Sequence, residues 1–160
     1  MLDHIRSLYR HQAWADDELL KAVTVCEPAQ QDPEMLHALH HMANVQLYLL
    51  SRLKTESFDA ARFKEQPPYA QLVERFQEAH AANDAFLASL TEADLSRAFE
   101  MPFFRANFTL LEGMTQCILH SQNHRGQCLT RLRELGAKPP TLDYILWVKD
   151  AQPRPAGSSK

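Results

Sequence analysis

The chain has 160 residues, 45% of them apolar and 23% charged, with a formal net charge of −3. This is the balance of a soluble globular protein with a sizeable core, and it argues against a polyanion binder, which works through clustered Lys and Arg. Here the basic residues are scattered; even Arg125, Arg131 and Arg133 alternate with apolar positions. No apolar run approaches the roughly 18–20 residues that cross a bilayer. The opening Met1-Leu2-Asp3-His4-Ile5-Arg6 has no secretory pattern. Three cysteines (Cys26, Cys117, Cys128) without CxxC spacing do not build a disulfide framework. A reduced, cytoplasmic location is expected, without nucleic-acid or membrane partners.

Apolar stripes at three- and four-residue spacing, separated by prolines, predict helices almost throughout. The first runs from Leu2 to Cys26 on the stripe Ile5, Leu8, Tyr9, Gln12/Ala13, Asp16, Leu19/Leu20 and Val23, and Glu27-Pro28 ends it. The second begins at Asp32-Pro33, an N-cap with proline at the first helical position, and reaches Lys54. It is apolar nearly all round and should be buried on more than one side. A polar loop leads through Pro67-Pro68 into the third helix, Tyr69 to Leu90. Thr91-Glu92-Ala93-Asp94 resembles a capping box and opens a short extra turn.

Arg97 to Asn107 reads as irregular or briefly extended. The fourth helix opens at the capping box Thr109-Leu110-Leu111-Glu112 and runs to Leu135, where Gly136 and Pro139-Pro140 stop it. A last short helix covers Leu142 to Asp150, and the tail from Ala151 to Lys160 has too few apolar groups to order itself. The expectation is one all-α domain over residues 1–150, a four-helix bundle with a short C-terminal helix. Glycine is rare, four in the chain, and neither GxxxxGK[ST] nor GxGxxG occurs, so phosphate loops are absent.

The chemistry concentrates in the fourth helix. His120 and His124 are four residues apart, so their side chains point the same way about 6 Å apart along the axis. Such a pair can hold one metal ion. Both are expected on the stripe of Leu110, Met114, Cys117, Cys128 and Leu132, where losing hydration demands a partner. The second helix supplies His37-Ala38-Leu39-His40-His41. Periodicity does not choose among its three histidines: His37 and His41 form a second i, i+4 pair, and His40 is another inward candidate.

Other schemes fit less well. Glu34-Met35-Leu36-His37 is the only Glu-x-x-His, at a helix start where an acid complements the dipole, so a di-iron site lacks its second half. HExxH is absent. Cys117 and Cys128 lie about 16 Å apart along one helix, too far for one ion, and read as core filler or, singly, as a fourth ligand. Gly126 inside the helix costs about 1 kcal/mol against alanine, which points to close helix approach or ligand access. Trp14 reads as core or interface packing.

These residues resemble the DinB/YfiT-like superfamily of metal-binding bundles. The resemblance runs from Tyr9…Ala13-Trp14-Ala15 to Gly136-Ala137-Lys138-Pro139-Pro140-Thr141-Leu142-Asp143 and is sharpest at His120-x-x-x-His124-Arg125-Gly126-Gln127 and at Leu39-His40-His41-Met42-Ala43-Asn44-Val45-Gln46. It implies an up-down-down-up order of helices. It also implies a divalent metal, nickel or zinc, held by His41, His120 and His124, with His40 or His37 as alternatives to His41. Gln46 stands where many relatives have Glu, which leaves its acid–base role open.

Relatives include thiol transferases using bacillithiol or mycothiol and a thiol-dependent maleylpyruvate isomerase; they are usually homodimers, and the family is associated with damage-inducible expression. A thiol S-transferase or hydrolase with a small-molecule substrate, and with no catalytic side chain assigned, is therefore the leading expectation. The alternatives are a metal- or small-molecule-binding bundle or stress-response protein without turnover, and a structural bundle whose histidines satisfy one another.

Overall fold

The computed structural model describes residues 1–151, and the expectation for the tail beyond Ala151 lies outside them. Six α-helices form: α1 (Leu2–Thr24), α2 (Glu27–Gln31), α3 (Pro33–Leu53), α4 (Tyr69–Ser89), α5 (Leu110–Glu134) and α6 (Tyr144–Ala151). Two 3-10 turns, Ala60–Phe63 and Glu92–Ser96, and two short strands, β1 (Ala98–Met101) and β2 (Ala106–Thr109), complete the described chain. It is mostly helical. No helix among the described residues is long and apolar enough to cross a membrane.

The caps place the helices. Asp32 accepts a hydrogen bond from the Met35 amide at 2.8 Å, and Pro33 occupies the first turn of α3, where its missing N–H is no loss. The Glu112 carboxylate accepts from the Thr109 amide at 2.7 Å, closing the capping box of α5. Asp94 does the same for Thr91 at 2.8 Å, so the expected extra turn is the 3-10 turn Glu92–Ser96. Gly136, at φ +82°, ends α5 in the left-handed region that glycine adopts without strain.

Several predicted boundaries change: the last helix, expected over Leu142 to Asp150, runs from Tyr144 to Ala151, so Ala151 belongs to it and not to the tail. Pro28 does not merely end α1, which stops at Thr24; it occupies the first turn of the separate helix α2. The stretch read as irregular holds an antiparallel hairpin with Phe99 opposite Phe108 and Met101 opposite Ala106.

α3 packs on α5 and α4, and α1 packs on the same two helices from the other side. Asp32, at the start of α3, receives Arg131 from the last turns of α5, with Nε–Oδ1 3.0 Å and Nη2–Oδ2 2.7 Å. Tyr69, opening α4, donates to the Leu20 carbonyl near the end of α1 at 2.6 Å. α6 closes on the first half of α1: the Tyr144 and Ser7 hydroxyls meet at 3.1 Å, and His11 Nε2 donates to the Leu142 carbonyl at 2.9 Å. The half-buried Trp14 packs beside that His11 ring, at 5.6 Å between centroids, as packing rather than chemistry.

The buried apolar residues fall into two clusters. One joins Leu19, Val23, Met35, Leu39, Leu72, Phe76 and Leu132; the other joins Leu2, Ile5, Leu50, Leu53, Leu87, Phe99, Leu110 and Met114. Gln12, Asp16, Gln46, Ser121 and Arg125, all fully buried polar residues, come from the middle of α1, α3 and α5. Asp16 and Arg125 form an ion pair at 2.6 Å there.

Candidate metal centre

His41 on α3 and His120 and His124 on α5 come together: one nitrogen of each lies within 4.8 Å of the others. The Nε2 atoms of His41 and His124 each stand 3.2 Å from Nε2 of His120. Their ring centroids are 4.5–5.0 Å apart. The helical spacing of His120 and His124 sets those two rings side by side, tilted at 56°, and the packing of α3 on α5 supplies the third.

Hydrogen bonding alone does not satisfy this array. A neutral imidazole nitrogen carries either one N–H or one lone pair. His120 Nε2 faces two ring nitrogens at the same distance and can pair with only one. A shared cation satisfies all three. Nitrogen ligands at about 2.0–2.1 Å from a tetrahedral zinc ion are about 3.3–3.4 Å apart, close to the two 3.2 Å spacings about His120. The donor set therefore fits a divalent metal.

The electrostatics favour the uncharged rings that a metal requires. Burial, then the His124 ring, hold His41 below the usual imidazole range. Burial, His124 and His41 together bring His120 down to about 4. At His124 the neighbouring Gln127 Oε1 lies 2.9 Å from Nδ1 and must accept, so Nδ1 carries the proton and Nε2 presents its lone pair to the cluster.

His120 and His124 are not on the most buried stripe of α5 as expected. That stripe runs through Leu110, Met114, Cys117, Ser121, Arg125, Cys128 and Leu132, and the two histidines lie half-buried on its shoulder toward α3. The shoulder position opens the cluster to a cavity of about 700 Å³ lined by Glu34, His37, His41, Gln66, His124, Gln127 and Arg131, among others.

The other candidates take different roles. His40 is buried and donates through Nε2 to the Arg62 carbonyl at 2.8 Å, a carbonyl that also accepts from Asn44 Nδ2 at 2.8 Å. This clamp fixes the turn Ala60–Phe63, and Phe63 stands 6.4 Å from the His41 ring, backed by Tyr48 and Phe58. His37 is exposed at the cavity rim. Gln46 turns away from the histidines and donates to Asp16 at 2.9 Å. Cys117 and Cys128 stay outside the cluster, and burial pushes their thiols up to about 11 and about 12, leaving them as protonated core residues.

Gly126 allows no close helix approach: a Cβ there would meet nothing within 4 Å. The close approach is at Gly113, where a Cβ would lie 2.6 Å from the Phe99 ring and 2.7 Å from Leu53. Sequence reading missed His80, whose Nε2 lies 3.1 Å from Asp16 Oδ2, and the pairing of Asp16 with Arg125. Its one signal was an acid inside the apolar stripe of the first helix.

Helices that turn three imidazoles onto one point beside an open cavity define a class, the helical bundle with a candidate three-histidine metal centre. The family model described as the DinB superfamily matches residues 4–128. The chain belongs to that superfamily. Comparison with curated proteins finds no match.

Proposed function

We propose that the protein is a divalent-metal-dependent enzyme of the thiol S-transferase or hydrolase type, with His41, His120 and His124 holding one nickel or zinc ion. The observation that carries this reading is that the Nε2 atoms of His41 and His124 each stand 3.2 Å from Nε2 of His120, an array that hydrogen bonds do not satisfy. When bound, such an ion supplies Lewis acidity that lowers the pKa of a thiol or water. Gln127 keeps the His124 lone pair inward, and the Phe63 ring stands 6.4 Å from that of His41. The 700 Å³ cavity gives a small-molecule substrate or a low-molecular-weight thiol access, with Gln66, Gln127 and Arg131 as polar contacts.

The same reading includes a homodimer in the cytoplasm, a role in stress response, a single domain over residues 1–150 and an up-down-down-up order of the long helices. The ties between the start of α3 and the end of α5, and between the start of α4 and the end of α1, support that order. A second reading, a bundle that holds metal or a small molecule without turnover, draws support from the cavity lining. Among the described residues Glu34 is its one carboxylate, and its side chain is 77% exposed.

Metal quantification on the purified wild type and on His41→Ala, His120→Ala and His124→Ala tests the site. About one ion per chain is expected in the wild type, with stoichiometric metal lost in each variant. Full retention by His124→Ala removes the assignment. A panel of thiols and electrophiles then separates the two readings, because metal-dependent turnover appears only under the first.

A further inference from the structure

We propose that Asp16 is the positioning residue of the metal centre, its buried carboxylate fixing the alignment of α3 and α5 that brings His41 onto His120 and His124. The inference rests on the metal reading above. Asp16 is wholly buried on α1. Its Oδ1 accepts from Arg125 Nη1 of α5 at 2.6 Å, and its Oδ2 accepts from Gln46 Nε2 of α3 at 2.9 Å and faces His80 Nε2 of α4 at 3.1 Å. One carboxylate thus engages a side chain from each of the other three long helices.

Two of those partners share a helix with proposed ligands. Arg125 directly follows His124, so a slide or rotation of α5 that displaced the guanidinium would displace the imidazole with it. Gln46 lies five residues after His41 on α3, about 140° further round that helix. It grips the bundle interior while His41 faces the cavity side. Asp16 therefore holds both sides of the three-histidine cluster to a common reference point. A cluster with nitrogens 3.2 Å apart tolerates little slip between its two helices.

Stability alone explains the arrangement poorly. A buried ion pair is often matched or bettered by apolar side chains of equal volume, since desolvation opposes the attraction. Here the pair sits between two apolar clusters that such side chains would join. The role we assign to the oriented buried partners is to fix one alignment of the helices, a use attested for buried polar groups in some helical assemblies.

Cobalt(II) titration of the full chain, read by affinity and by the d–d absorption of the bound ion, tests this. The proteins compared are the wild type, Asp16→Asn, Gln46→Met and Leu87→Ala, the last a buried α4 site outside the network. Asp16→Asn is expected to weaken cobalt binding by about 10–100-fold, as loss of an orienting partner does, and to shift the absorption bands. Gln46→Met leaves the Asp16–Arg125 pair intact, so it serves even if Asp16→Asn fails to fold, and it is expected to shift in the same direction. Leu87→Ala should melt lower yet keep the wild-type affinity and spectrum. Wild type that binds no cobalt overturns the metal reading and this inference with it. Wild-type behaviour in every variant that folds, or an equal loss in Leu87→Ala, overturns this inference alone.

Discussion

Gly113 and Gly126 lie on the same helix, α5, and replacing each with alanine should change stability in opposite directions. In a helix interior the exchange gains about 1 kcal/mol from backbone entropy alone. At Gly126 nothing opposes it: the position is exposed and the added methyl would have no atom within 4 Å. Gly126→Ala is therefore expected to stabilise the protein by about 1 kcal/mol, raising Tm by about 2–4 °C for a chain of this size. At Gly113 the same methyl would lie 2.6 Å from Phe99 and 2.7 Å from Leu53, side chains only 4% and 1% exposed. Overpacking of this kind costs about 1–3 kcal/mol, which outweighs the gain and leaves Gly113→Ala about 1 kcal/mol less stable.

The two positions are about 20 Å apart along the helix, so the double variant should show the sum of the single changes. Thermal and urea unfolding followed by circular dichroism measure all three. A lower Tm for Gly126→Ala, or a higher one for Gly113→Ala, would refute the reasoning.

At Asp16 burial pushes the carboxyl up, but the Arg125 guanidinium at 2.6 Å, with His80 and Gln46, holds it below its ordinary value. The folded protein then takes up that proton at lower pH than the unfolded chain. The stabilisation is whole above the ordinary value near 4 and drains away as pH falls through the folded one. Tm should therefore fall more steeply below about pH 4 in the wild type than in Asp16→Asn, and equal slopes would contradict this. The Cys117 and Cys128 thiols, raised to about 11 and about 12 by burial, should react with an aromatic disulfide reagent only after unfolding. Rapid labelling of either in the native protein at neutral pH would overturn that expectation.

The long helices were legible because their signals are local: apolar spacing, Asp32-Pro33, Thr109 with Glu112, and Gly136 each act within one or two turns. The pairing of His120 with His124 was readable for the same reason. Periodicity did not choose among His37, His40 and His41, because α3 is buried on several sides, and only the family resemblance pointed to His41; the Arg62 carbonyl that takes up His40 lies 22 residues away in a polar loop. Asp16 and Arg125 are 109 residues apart, and no local pattern pairs them. The glycine argument went to Gly126 and missed Gly113, because a crowded Cβ depends on Phe99 arriving from the hairpin.

The polar groups at mid-height divide the apolar interior into two compartments. Side-chain volume can then be exchanged within one compartment, around Phe76 and Leu132 or around Leu53 and Phe99, without transmitting a shift in register to the other. The ends of the bundle can then be reshaped while the three-histidine arrangement between them keeps its geometry.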